Sequence, residues 1–296
     1  MIKNICSALI VLCFAFAANA QMYYGEQRTG EFGVAVGAAH YFGDLNTRAN
    51  LNRPKFSAGA FYLKQFNDYI GVKLAVNYAF LGYSDIYSNN ETQKRRNLSF
   101  NSNVWEASLN GQFNFFHYRP GEPGYNFTPY VSLGVGAFSY DPYAYLQGAK
   151  YFLRPLGTEG QGSSLYPDRK QYGTVAACFP LAIGFKFGLN PGTNVFFEAG
   201  YRFTTTDYLD DVSTTYVGDQ PFYYAGTTSV IGVDGNINPA YQLADRSYET
   251  GDRIGVKDRQ RGNSQQKDAY AIAQVGVSFN LSSYKCPTVN TKKGKY

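Results

Sequence analysis

The side chains of this 296-residue chain that could do chemistry are few. There are two imidazoles, His40 and His117, and four cysteines, two of them within the first 13 residues. A hydrolytic or acyl-transfer site needs a nucleophile, a base and an orienting group within hydrogen-bond reach. His40 ends an alternating segment on its apolar side, where a rim-located lipid-modifying or proteolytic base could sit, but such a His is more often an interfacial residue. His117 lies in the aromatic run Phe113 to Tyr118. Neither has a partner identifiable by spacing, so the chain reads as non-enzymatic. The one dense acidic group is Asp207, Asp210 and Asp211. Carboxylates this close could hold Ca²⁺, yet they lack the alternating oxygen-ligand spacing of a calcium loop. Asp and Ser also accept backbone N–H bonds in turns, which favours a loop cap over a weak metal site. No cofactor motif is present: Gly33, Gly37, Gly134 and Gly136 fall inside alternating segments, where they make room or kink a wall.

Composition narrows the class further. Charged residues are 17% of the chain and aromatic residues also 17%, against roughly 25% charged in ordinary soluble domains. That excludes intrinsic disorder and gives no sign of a helical bundle. The net charge of +5 is dispersed, so no nucleic-acid surface is indicated. Residues 1–20 read as a secretory signal peptide: Lys3, then an apolar core from Ile5 to Ala18, then Ala18-Asn19-Ala20 as a small-x-small cleavage site. This leaves residues 21–281 as a barrel domain and 282–296 as a tail.

The elements that must position any site show themselves at period two. Val175, Ala177, Phe179, Leu181, Ile183, Phe185 and Phe187 make an unbroken apolar face opposite Ala176, Cys178, Pro180, Ala182, Gly184, Lys186 and Gly188. Asn194–Thr204 and Tyr270–Leu281 alternate in the same way. Glu31–Ala38, Ile70–Phe80, Trp105–Phe115 and Val131–Ala137 follow, and Lys55–Phe66 is the least regular, with aromatics on both faces. Each of these eight segments is read as a strand on the scale of the ~9–11 residues a tilted membrane strand needs. Long connections (44–54, 83–103, 140–174, 206–268) alternate with short ones (67–69, 119–126, 190–193), as in barrels with short periplasmic turns and long extracellular loops. The expectation is an all-β, eight-stranded antiparallel up-and-down transmembrane barrel of the outer membrane, both termini periplasmic and lipid around its wall. A secreted sandwich or soluble barrel is the alternative.

That register assigns Glu31, Lys73, Glu106, Lys186, Glu198 and Arg202 to the lumen, three acids and three bases. A charge unpaired inside a filled barrel is costly, so opposite charges are expected to pair into a plug, with Glu106 and Arg202 meeting in the half nearer the long loops. Cys178 faces the lumen while Cys286 follows the last strand at the other end, too far for a disulfide. The tail carries Lys285, Lys292, Lys293 and Lys295; with Arg119 in a short turn, the first three are candidates for contact with a periplasmic partner.

Glu31-Phe32-Gly33 through Tyr41-Phe42-Gly43-Asp44-Leu45, Phe113–Tyr118, Phe127–Phe138, Tyr201 through Ser213 and Tyr284-Lys285-Cys286-Pro287 resemble the PorG-type outer-membrane barrels of Bacteroidota. The resemblance covers the mature chain to about Pro287, and its most specific parts are Gly43-Asp44-Leu45 and the Asp-rich stretch 207–213. The long last loop and Lys-rich end depart from the compact pattern of that family. The resemblance implies an accessory component of the type IX protein secretion system, tying a periplasmic ring of a PorK-like lipoprotein and a PorN-like protein to the outer membrane. It brings no catalytic residues. A free-standing barrel, serving envelope stability or surface and ligand contact through its loops, is the competing expectation.

Overall fold

The computed structural model describes residues 28–47 and 49–282. The stretch expected to be a signal peptide and nearly all of the expected tail, with Cys286, Lys285, Lys292 and Lys293, lie outside the described residues. Among the described residues there are ten strands: β1 (Arg28–Phe42), β2 (Lys55–Gln65), β3 (Ile70–Ser84), β4 (Ser99–Asn114), β5 (Phe127–Ser139), β6 (Tyr143–Leu146), β7 (Ala149–Phe152), β8 (Val175–Asn190), β9 (Thr193–Thr204) and β10 (Ala269–Ser282). Two one-and-a-half-turn helices, α1 (Glu91–Arg96) and α2 (Pro239–Ala244), lie in the loops.

Eight strands close on themselves. Each long strand pairs antiparallel with its neighbour in the order β3-β2-β1-β10-β9-β8-β5-β4, and β3 pairs with β4 from Ile70↔Phe113 to Ser84↔Ser99. Closure matters physically because a wall with no free edge leaves no backbone N–H or C=O unsatisfied in hydrocarbon. β6 and β7 were not expected: they form a hairpin within the 140–174 loop, bridged to β4 at Asn101↔Tyr143. The 83–103 connection is also shorter than alternation suggested. β3 and β4 extend past the apolar register on polar and aromatic residues and leave only 85–98 between them.

Side-chain burial is inverted relative to a water-soluble domain. Leu133 and Ile183 are 63% and 62% exposed on the outer face, whereas Glu31 and Lys186 are 2% and 1% exposed inside. Val34, Leu74, Leu109, Phe185 and Val275 continue the outer apolar belt, and among the described residues no helix is long and apolar enough to cross a membrane. In β2 the ambiguity resolves with Phe56, Tyr62 and Phe66 outward and Phe61 inward, edge-to-face with Phe196 of β9 at 5.3 Å. Gly276 of β10 leaves the space that the Phe196 ring fills.

The short turns are locally determined. Asn67 Oδ1 accepts the backbone N–H groups of Tyr69 (2.9 Å) and Ile70 (2.8 Å), and Pro191-Gly192 joins β8 to β9 with Gly192 N–H bonded to Asn190 Oδ1 at 2.9 Å. Arg28 of β1 pairs with Ser282 of β10, so the described ends of the chain meet at the short-turn end.

Candidate functional site: a plugged lumen under a loop cap

Three ion pairs cross the lumen. Lys186 Nζ on β8 donates to Glu31 Oε2 on β1 at 2.7 Å, and Ser278 Oγ donates to the other Glu31 oxygen at 2.5 Å. Lys73 on β3 pairs with Glu198 on β9, whose Oε2 also accepts the Tyr130 hydroxyl at 3.0 Å. Nearer the long loops, Arg202 Nε donates to Glu106 Oε2 at 3.1 Å, and the Tyr270 hydroxyl and the Asn77 amide donate to the same carboxylate at 2.7 and 3.0 Å. All six charges assigned to the lumen are thus in pairs of opposite sign, each with further hydrogen bonds. Buried charges persist only when paired and bonded in this way. Asn110, Gln112 and Asn114 continue the polar filling along β4. Cys178 is buried inside the wall as a free thiol.

Above the lumen the long loops interlock. Arg96, at the end of α1, makes a two-pronged pair with Asp85 (Nε–Oδ2 and Nη2–Oδ1, both 2.7 Å). Its remaining donors reach the Arg261 carbonyl (2.6 Å) and the Asp44 carbonyl (3.0 Å). Arg261 Nη1 donates to Glu159 Oε1 at 2.9 Å and to the Asp211 carbonyl at 2.7 Å. Glu159 in turn accepts the backbone N–H groups of Ser213 and Thr214, each at 3.0 Å. Two arginines therefore join all four long connections. Loop ordering costs conformational entropy, and planar guanidinium forks binding carboxylates and carbonyls at fixed geometry offset it.

The three clustered aspartates do not converge. Asp207 accepts the Ser213 hydroxyl (2.5 Å); Asp210 accepts the Tyr41 hydroxyl (2.5 Å) and Val212 N–H (2.9 Å); Asp211 accepts the hydroxyls of Thr158 (2.5 Å) and Tyr172 (2.7 Å). Among the described residues no group of three or more acidic, His or Cys side chains is arranged to hold a metal ion. The carboxylates point apart, Asp207 back into its own loop, Asp210 to Tyr41 at the end of β1 and Asp211 to the 140–174 loop, because each is consumed by a capping bond. Burial pushes the Asp207 and Asp211 carboxyl groups up to about 6, with Ser213 and Arg261 respectively pulling back. It also raises Asp210 and Asp268 well above the carboxylate range, with repulsion from Asp44 and Asp210, respectively, adding to it.

His40 is not on the lipid surface. It has the outward register, but β2 begins at Lys55 opposite Ala39, leaving no neighbour beside His40 on that side. The 43–54 connection folds into that gap, so Nε2 lies 2.6 Å from the Asn50 carbonyl and the ring packs edge-on against Phe42 and Tyr83. At the opposite end His117 Nε2 and Arg119 Nη2 both meet Asp68 Oδ2, at 3.1 and 3.2 Å, which braces the 119–126 turn against the 66–69 turn. Sequence reasoning missed Arg96, Glu159 and Arg261. Their partners lie 11 to 165 positions away, without periodicity; the local cue was the pair of positive-φ glycines flanking Thr158-Glu159, Gly157 and Gly160.

Among solved structures, Neisserial surface protein A is similar at 11% identity and a TM-score of 0.40, over 87% of this chain and 99% of that one. The N-terminal β-barrel domain of Pseudomonas aeruginosa OprF gives 9% and 0.36, over 86% and 98%. Ail, the attachment invasion locus protein of Yersinia pestis, gives 8% and 0.37, over 85% and 97%. The closed barrel rests on the strand pairing described above rather than on these distant likenesses. No curated protein matches the chain. The family model for a domain of unknown function, DUF6089, matches residues 3–223. That is well over half of the chain, which therefore belongs to the DUF6089 family.

Proposed function

We propose that this chain is a plugged outer-membrane barrel acting as a non-enzymatic, structural component of the type IX secretion system. In this reading it holds the periplasmic ring, a PorK-like lipoprotein with a PorN-like protein, to the outer membrane. The observation that carries the reading is the paired lumen. Six interior charges spent on cross-barrel bridges suit a rigid anchor better than an open channel. Support also comes from the short-turn end, where the Asp68–Arg119–His117 brace and the two described chain ends lie together. A stiff face with two emerging segments is suited to docking on a partner, and the tail lysines Lys285, Lys292 and Lys293 would extend it.

The test is crosslinking and pull-down of tagged protein from native membranes. Ring components should be recovered, and should be lost when 282–296 is deleted or the 119–126 turn is altered while the barrel stays folded. Recovery of none, with secretion intact in a deletion strain, would defeat the reading. The ordered cap favours a second one in that event: a free-standing barrel that meets surface ligands through its loops.

A further inference from the structure

The cap bears an open cleft of about 440 Å³ on the side away from the short turns. Pockets for small molecules run roughly 300–1,000 Å³, so the space suits a monosaccharide or disaccharide. Its walls come from three separate long connections and are held by bonds already in place. Arg96 spans the carbonyls of Arg261 and Asp44, Asn263 N–H donates to Asp44 Oδ2 at 2.9 Å, and Gln93 Nε2 reaches the Asp44 carbonyl at 3.3 Å. The cleft is thus pre-formed, and binding there would not have to order the loops.

The lining mixes polar and apolar surface and carries a positive excess. Its charged members are Arg96, Arg259 and Arg261 against a single acid, Asp44. Arg96 is neutralised by Asp85 and Arg261 by Glu159. The Arg259 guanidinium donates only to the Ile254 carbonyl, at 3.1 Å, and has no acidic partner among the described residues. The lining also holds the side-chain amides of Gln260 and Gln266, each bearing both a donor and an acceptor, and the amide NH2 groups of Asn90 and Asn263, whose oxygens accept the Thr92 and Gln265 N–H groups; Gln93 is already bonded at both ends, to Ser88 and to Asp44. Tyr216 forms part of the wall, and its buried hydroxyl has no hydrogen-bond partner. A free guanidinium fork recognises a planar or tetrahedral oxyanion, and a ring of amides recognises hydroxyl groups of either polarity. A purely apolar ligand would leave the Arg259 charge unmet, and a bare inorganic anion would leave the amides unused.

We infer that this cleft is a binding site for a small acidic sugar, its anionic group on Arg259 and its hydroxyls on the surrounding amides. The site lies at the opposite end of the barrel from the proposed ring-docking face and does not depend on that assignment.

Isothermal titration of the full-length protein in detergent tests it, with glucuronic acid, galacturonic acid and glucose 6-phosphate as probes and glucose and acetate as controls. At least one acidic sugar should bind saturably at one per chain. Glucose and acetate should bind at least about tenfold more weakly, and Arg259→Gln should weaken the acidic sugar by about tenfold or more, since a charged hydrogen-bonded contact is lost. Arg259 is exposed, so heat-modifiable mobility should be unchanged in this variant. No saturable binding by any of the three acids overturns the inference. So does glucose binding as well as they do, or an Arg259→Gln variant that binds like the parent.

Discussion

Lys186 and Glu31 meet across three strand-to-strand steps of the barrel wall, Nζ to Oε2 at 2.7 Å, with both side chains 2% exposed. Neither is reached by solvent, so the pair stands or falls together. Replacing Lys186 by Met leaves the Glu31 carboxylate buried against Ser278 alone and should cost about 3–5 kcal/mol. Replacing both, as Lys186→Met with Glu31→Gln, should recover most of that loss. Thermal unfolding in detergent, followed by heat-modifiable gel mobility, reads both values. A single variant as stable as the parent would show that the bridge does not support the wall.

The same bridges make a prediction about permeation. Glu106 and Arg202 lie nearest the cap and are held by Tyr270 and Asn77, so no file of water should pass them. Purified protein in a planar bilayer should show no large, stable single-channel conductance. Glu106→Ala with Arg202→Ala removes two long side chains from the upper lumen and should bring in intermittent small currents. A steady large conductance from the unaltered protein would contradict the plug.

How far this architecture was legible follows from what repeats. Val175 to Gly188 declares its faces because seven successive pairs obey one rule, and the lumen charges followed from the same register. Phe61 and Tyr62 broke that rule in β2, since an inward aromatic is allowed wherever a facing residue is small, as Gly33 is beneath Phe61. The Asp-rich stretch 207–213 was legible as a cap by its turn chemistry. Its partners were not, because Thr158, Tyr172 and Tyr41 reach it across sequence gaps of 39 to 169 positions. His40 was misplaced for a related reason: register gives the side a residue points to, and a loop folded over that side leaves no trace in periodicity.

Arg261 is the residue on which the cap turns. It is 3% exposed and holds Glu159 and the carbonyls of Asp211 and Ala244. Arg261→Met should strand a buried carboxylate and loosen the cap by about 3–5 kcal/mol, while the strands, which share none of these bonds, keep their pairing. Limited proteolysis should then cut within 206–268 at conditions where the parent is resistant, with heat-modifiable mobility retained. Loss of the barrel along with the cap would show that the two are one cooperative unit.

Acidity should tighten the cap. Burial raises Asp207 and Asp211 to about 6 and pushes Asp210 and Asp268 higher still, whereas the same groups in an opened cap titrate near ~4. The closed cap therefore binds more protons than the open one. Its stability is greatest below the open-state value and declines as pH rises through about 6 for the first pair. Tyr41 shows why protons are held there: its hydroxyl lies between Asp210 Oδ2 at 2.5 Å and Asp268 Oδ1 at 3.1 Å, and one phenol proton cannot satisfy two carboxylates. Between about pH 5 and pH 8, Asp207 and Asp211 together should shift local opening by roughly 2–3 kcal/mol. Amide exchange over 206–216, corrected for its intrinsic pH dependence, should show stronger protection at the lower pH, and Asp210→Asn should flatten part of that difference. Equal or greater protection at pH 8 would mean that these carboxyl groups are charged in the closed cap and compensated by the arginines around them.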